Sequence, residues 1–154
     1  MRLDYRHELP EASRAMVHLE RVVWESTLEP KLRELVRLRA SQINGCAYCV
    51  DMHTKDAEAI GEDAQRLHLV AVWREAPVFS ARERAALAWT ETLTLVAESG
   101  APDDVFDEVA HQFDPAEQVA LTLAIVAING WNRLAVGFQQ PVGGYVSDRH
   151  PAVA

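Results

Sequence analysis

The chain has 154 residues, the size of one domain, and at that length roughly 70 % of the unfolded surface is buried, so folding needs no disulfide or structural metal. Hydrophobic residues make up 49 % and charged residues 25 %, an ordinary globular balance. Fifteen Lys and Arg against 23 Asp and Glu give a net charge of −8, which argues against nucleic acid or an anionic membrane as a partner, since both need clustered positive charge.

Strand signals are nearly absent and helix signals recur along the chain. The opening "MRLDYRHELPEASR" has no apolar core and is not read as a secretory signal, so a cytoplasmic, reducing location is expected. A first helix is predicted from about Pro10 to Ser26, with Ala15, Met16, Leu19, Val22 and Val23 on one face. A second begins near Pro30, carries Leu32, Leu35, Val36 and Ile43, and ends or breaks at Asn44-Gly45. A third runs from about Cys46 to Gly61, and a fourth from about Asp63 to Arg74, ahead of Pro77. Ser80 and Glu83 form a capping-box pattern that opens a long helix to about Ser99. A short helix follows from about Pro102 to Gln112. Asp114, Pro115 and Glu117 then open the last long helix.

That last helix is apolar nearly all round between Val119 and Ile128, the pattern of a central helix or one buried in an oligomer interface. The run is too short for a membrane span, which takes about 20 apolar residues. The tail, 141–154, reads as loop. The expectation is a single all-α domain over residues 1–154, a bundle of about six to seven helices, with the chemistry on the helices spanning about 30–61. "RASQINGCAYC" (Arg39–Cys49) also echoes "AIVAINGWNRL" (Ala124–Leu134) at an offset of 85 residues. The echo is either the trace of a duplicated helical unit or a coincidence of three letters.

Both cysteines lie in "INGCAYCVDMH" (Ile43–His53). With Cys46 at the start of a helix, Cys46, Cys49 and His53 share one face within about a 60° arc. The free N–H groups of the first turn and the helix dipole favour a thiolate there. A free thiol has a pKa of about 8.5, and lowering it by one unit takes about 1.4 kcal/mol. His53, one turn after Cys49, is placed to act as the base. A histidine base is usually oriented by a carboxylate. Glu34, on the preceding helix, is the best candidate; Asp51 and Asp56 are nearer in sequence but are judged to point away from the Cys–His face.

Three readings of the pair stand side by side. It is a redox dithiol, a zinc site of Cys46, Cys49, His53 and one more ligand, or two unrelated buried cysteines. Structural zinc usually takes four Cys or His ligands in two pairs, and this chain has no second cysteine pair. Other residues carry weaker signals. His7, His18, His68, His111 and His150 are scattered. Trp24, Trp73, Trp89 and Trp131 read as core or interface packing. Asn132 and Arg133, after the second Asn-Gly, read as packing or capping. No phosphate loop, dinucleotide fingerprint, serine nucleophile elbow or zinc-protease motif is present.

Glu34, eleven intervening residues, Cys46-Ala-Tyr-Cys49, three more and then His53 together resemble the active-site signature of the AhpD-like alkylhydroperoxidases, in the carboxymuconolactone decarboxylase superfamily. "FSARERAALAWTETLT" and "LTLAIVAINGWNRLAVGFQ" resemble the later helices of that family, so the likeness covers about Leu32 to Gln139. The resemblance implies an all-helical homo-oligomer, often a trimer or a pair of trimers. It implies hydroperoxide reduction without metal or flavin, by way of a thiol reductant such as a dihydrolipoyl group or a thioredoxin-like protein. It assigns Cys49 as the peroxidatic cysteine, Cys46 as the resolving one, and His53 with Glu34 as the proton relay. The helix N-terminus alone would instead favour Cys46 as the more acidic thiol. One position departs from the pattern: Tyr48 stands where the alkylhydroperoxidases carry a histidine. The decarboxylases of the superfamily lack the cysteine pair, which sets that activity aside.

Overall fold

The computed structural model describes residues 1–149, apart from the side chain of Ser99. Among the described residues there are nine α-helices, one 3-10 turn and no strand. The helices are α1 (Tyr5–Glu8), α2 (Pro10–Trp24), α3 (Pro30–Ile43), α4 (Ala47–Ala59), α5 (Ala64–Leu69), α6 (Ala81–Thr94), α7 (Val96–Ser99), α8 (Asp103–Gln112) and α9 (Pro115–Phe138). The 3-10 turn, Val70–Val72, continues α5. All seven predicted helices are present, but the one expected to run to about Ser99 stops at Thr94 and resumes after Leu95 as the four-residue α7, and a four-residue α1 is added. The all-α expectation holds.

Local chemistry sets the helix starts. Ser80 Oγ accepts the Glu83 N–H at 3.3 Å while the Glu83 carboxylate accepts the Ser80 N–H at 2.8 Å. Asp114 and Glu117 repeat the same reciprocal box at α9. Pro10, Pro30 and Pro115 occupy first-turn positions where a missing N–H costs nothing.

The most central helix is α3, which packs against α4, α6 and α9. Every residue from Leu32 to Leu38 is buried, including Arg33, Glu34 and Arg37. One cluster joins Leu32 and Val36 to Trp89, Phe113, Leu121 and Ile125. A second joins Leu35 and Leu38 to Leu67, Val70, Trp73 and Phe79. A third sets Ala40 beside Cys46, Cys49, Ile128 and Ala135.

α9 lies against α2, α3 and α6. By length and composition the whole 24-residue helix is apolar enough to cross a membrane, which the ten-residue run read alone understates. Here its Leu121, Ala124, Ile125 and Ile128 are buried in protein, and Val119, Val126 and Val136 face outward. The predicted face of α2 is only partly a core face. Val23 is buried, Met16 and Leu19 are half-buried, and Ala15 and Val22 are exposed.

The Ile-Asn-Gly echo takes two different backbones. Gly45 has φ +64°, so the first copy breaks and Cys46 can cap α4. The second copy stays inside α9, where a Cβ on Gly130 would come within 2.8 Å of Met16 Cε. The equivalent asparagines meet: Asn44 Nδ2 donates to Asn129 Oδ1 at 3.0 Å and to Asn132 Oδ1 at 2.9 Å.

Candidate active site

Cys46 is the N-cap of α4, and its sulfur accepts the Cys49 N–H at 3.3 Å. The two cysteines are joined as a disulfide with their Cα atoms 5.3 Å apart, and both are buried. They face different spaces. Cys49 and His53 line a cavity of about 500 Å³, whereas Cys46 lines a smaller one of about 170 Å³. Tyr48, at the position that departs from the family pattern, borders both.

Glu34 reaches His53, as the sequence predicts. Its Oε2 accepts the Nδ1–H of His53 at 2.8 Å, and its Oε1 accepts from Arg37 Nη1 at 2.9 Å. Arg37 Nη2 donates in turn to Glu20 Oε2. Burial pushes the Glu34 carboxyl upward, but the His53 hydrogen bond and charge, with Arg37 and Arg149, outweigh it and hold the group at about 2. An ionised carboxylate only accepts, so the Nδ1 of His53 must carry the proton. The lone pair of a neutral His53 then sits on Nε2, which is buried and has no hydrogen-bond partner among the described residues.

Asp56 corrects the sequence reading. It does not bond His53, but it does not point away either. It is buried, and its carboxylate lies in the same cluster as Glu34 and His53. Tyr145 donates its hydroxyl to Asp56 Oδ1 at 2.7 Å, Ser147 donates to the same oxygen at 2.6 Å, and Arg149 Nε lies 2.9 Å from Oδ2. Burial and the Asp56 carboxylate push the Tyr145 phenol up to about 12. Lys55 Nζ donates to the Tyr145 carbonyl at 3.0 Å. Arg149 also brings Nη1 to 3.3 Å from Glu34 Oε1. The tail is irregular, as expected, yet it straps one end of the cavity; residues 150–154, with His150, lie outside the described residues.

Two sequence signals point to this strap. Asp56 follows His53 by three residues, so the two lie on neighbouring parts of one helix face. Tyr145, Ser147 and Arg149 alternate, and alternate residues of an extended segment face the same side. Asp51, the other rival, pairs with Lys55 at the surface side of α4.

Trp24 is not core. It is 43 % exposed, and two guanidinium groups, of Arg33 and Arg149, each lie 4.2 Å from its ring centroid. Trp131 lines the large cavity. Trp73 and Trp89 are buried, as expected, and donate to Glu91 and Thr122. Asn132 is buried and donates to Ser41 at 3.1 Å, while Arg133 bonds the Asn129 carbonyl, so both serve packing around the Asn44 turn. His7, His18, His68 and His111 are exposed.

Glu34, His53 and Asp56 offer donor atoms within 4.8 Å of one another, a spacing that suits a metal. The chemistry of the set does not suit one, because Arg37 and Arg149 already sit on the two carboxylates and a dication would have to displace them.

Fold and site together define an all-helical protein with a CxxC pair beside a buried Glu–His pair, opening on an apolar cavity. The chain belongs to the carboxymuconolactone decarboxylase family, whose profile matches residues 10–92, and to its AhpD-like group. It is 38 % identical over 135 residues to the uncharacterized protein YdfG of Bacillus subtilis (strain 168), covering 88 % of this chain and 92 % of that protein. The crystal structure of a protein of unknown function from Agrobacterium tumefaciens, ATU0492, proposed to be the antioxidant defence protein AhpD, superposes with a TM-score of 0.90 at 46 % identity, covering 94 % of this chain and 99 % of that one. A peroxidase-related protein of Ralstonia eutropha JMP134, described as an alkylhydroperoxidase AhpD core, shares the fold at a TM-score of 0.79 and 19 % identity, covering 90 % of this chain and 74 % of that one.

Proposed function

We propose that the protein is a thiol-dependent peroxidase that reduces organic hydroperoxides through Cys49 and Cys46. One observation carries the reading: His53 is held by Glu34 through Nδ1, which leaves its buried Nε2 without a partner among the described residues, and His53 and Cys49 line the same cavity. In the reduced protein Nε2 takes the Cys49 proton. The thiolate attacks the outer oxygen of ROOH, an S–O bond forms, and the O–O bond breaks. The alkoxide leaves with the proton held on Nε2, giving ROH and a sulfenic acid. The Cys46 sulfur then attacks Cys49, the S–O bond breaks, and hydroxide leaves with the Cys46 proton as water. The Cys46–Cys49 disulfide is returned to the dithiol by a thiol reductant, a dihydrolipoyl group or a thioredoxin-like protein.

Glu34 contributes by fixing the tautomer and by stabilising the imidazolium that forms. Its own carboxyl stays ionised at the pH at which the thiol reacts, because the His53 hydrogen bond, Arg37 and Arg149 support it. The AhpD-like neighbour linked to antioxidant defence supports the same reading. A homo-oligomer is part of the proposal, and the outward Val119, Val126 and Val136 of α9 support it.

Cys46 at a helix N-terminus favours a second reading, in which the pair reduces protein disulfides with Cys46 as nucleophile. Hydroperoxide consumption coupled to dihydrolipoamide separates the two. Turnover that disappears in Cys49→Ser and Cys46→Ser supports the peroxidase. Full turnover in Cys49→Ser removes it.

A further inference from the structure

Four arginines line the large cavity, Arg6, Arg21, Arg37 and Arg149, against two carboxylates, Glu20 and Asp56. The lining is thus less negative than the chain as a whole, whose net charge is −8, and with Glu34 and Glu25 paired to these arginines it is close to balanced. The deep charges are committed. Glu20 holds Arg37, and Asp56 holds Arg149, Tyr145 and Ser147. Arg6 and Arg21 are exposed. Arg21 lies 3.2 Å from Glu25, but both side chains are more than half exposed, and such a pair is worth little in water. Arg6 lies over the Tyr5 ring, 5.4 Å from its centroid.

Beside the site residues and three tyrosines, the remaining wall is apolar: Val17, Trp24, Met52, Trp131 and Ala135. At about 500 Å³ the cavity falls in the ~300–1,000 Å³ range of sites for medium-sized organic ligands. Hydrogen peroxide would use almost none of it. An apolar wall with exposed guanidinium groups at its rim fits a molecule that is hydrocarbon along its length and anionic at one end. The chain is desolvated inside, and the headgroup stays at the wet rim, where cationic groups raise the local concentration of anions.

We propose that the cavity takes an anionic amphiphile, an organic hydroperoxide with a carboxylate at the end of its hydrocarbon chain, whose headgroup meets Arg6 or Arg21. The hydroperoxide part rests on the peroxidase reading; the carboxylate part does not. Decanoate and decanol share a chain and differ in charge, so they separate the two. Their binding to the Cys49→Ser protein is read from the fluorescence of Trp24 and Trp131 on the cavity wall. Decanoate is expected to bind at least tenfold tighter than decanol, and the ratio should shrink with salt. Arg6→Gln or Arg21→Gln should bring the ratio at least threefold closer to one, which identifies the headgroup site. A wild-type ratio near one, or an unchanged ratio in both variants, overturns the proposal. In wild-type protein a fatty-acid hydroperoxide should oxidise Cys49 at least tenfold faster than its methyl ester. Oxidation by neither, with decanoate still preferred, would refute the peroxidase reading and leave the anion site standing.

Discussion

Glu34 and His53, nineteen positions apart on two helices, are held at 2.8 Å between Oε2 and Nδ1, with the Glu34 side chain wholly buried. The contact fixes which nitrogen of His53 is basic. In the proposed reaction His53 is the general base, and such a base is worth about 10²–10⁴-fold in rate. Replacing His53 by Gln should slow oxidation of Cys49 by hydroperoxide within that range, read by stopped-flow with the reduced protein. Glu34→Gln leaves a neutral acceptor that no longer supports the imidazolium, so its rate should also fall and its pH profile should move.

Glu34 also ties stability to pH. Its carboxyl lies at about 2 in the fold against an ordinary 4.5. A depressed carboxyl contributes stability above its unfolded value and loses it as pH falls toward the folded one. The shift corresponds to about 3 kcal/mol, present above roughly pH 4.5 and lost between there and about pH 2. Urea unfolding of wild type and Glu34→Gln across that window should show the difference between them shrinking as the pH drops. At neutral pH the variant should be destabilised by about 3–5 kcal/mol, the cost of breaking a buried ion pair on one side.

The fold and the core of the site can be read along the chain because they rest on local patterns. Capping boxes at Ser80 and Asp114 and prolines at first turns mark the helix starts. Cys46, Cys49 and His53 share one helical face by phase alone. What the sequence hides is pairing at a distance. Arg33, Glu34 and Arg37 look like the polar side of a surface helix, yet α3 is the most buried helix, because Glu20, Arg149 and backbone carbonyls reach in to satisfy those charges. Trp24 reads as core or interface packing, and its guanidinium partners are hidden because they come from other segments.

Asp56 anchors the strap of Tyr145, Ser147 and Arg149. Asp56→Asn should cost about 1–3 kcal/mol, because hydrogen-bond donors aimed at a buried carboxylate lose part of their acceptor. It should also let Tyr145 titrate closer to an ordinary phenol than the value of about 12 it has now. Ultraviolet titration of tyrosinate in the two proteins measures the change.

Gly45 and Gly130 occupy equivalent places in the Ile-Asn-Gly echo and should respond differently to alanine. At Gly45 the obstacle is backbone: φ is +64° and nothing lies within 4 Å, so Gly45→Ala should cost about 1–2 kcal/mol. At Gly130 the backbone is helical and alanine gains about 1 kcal/mol of helix propensity. The opposing contact is the flexible end of Met16, which can swing aside, so Gly130→Ala should stay within about 1 kcal/mol of wild type. Thermal unfolding of both variants compares the two.

The order of attack by the two sulfurs is decided by trapping. Cys46→Ser protein is reduced, treated with one equivalent of an organic hydroperoxide in the presence of a sulfenic-acid trap, and analysed by peptide mass spectrometry. A single adduct on Cys49, formed much faster than any adduct on Cys46 in the Cys49→Ser protein, is the expected result. Faster labelling of Cys46, or no oxidation of Cys49, would contradict the assignment of Cys49 as the sulfur that meets the peroxide.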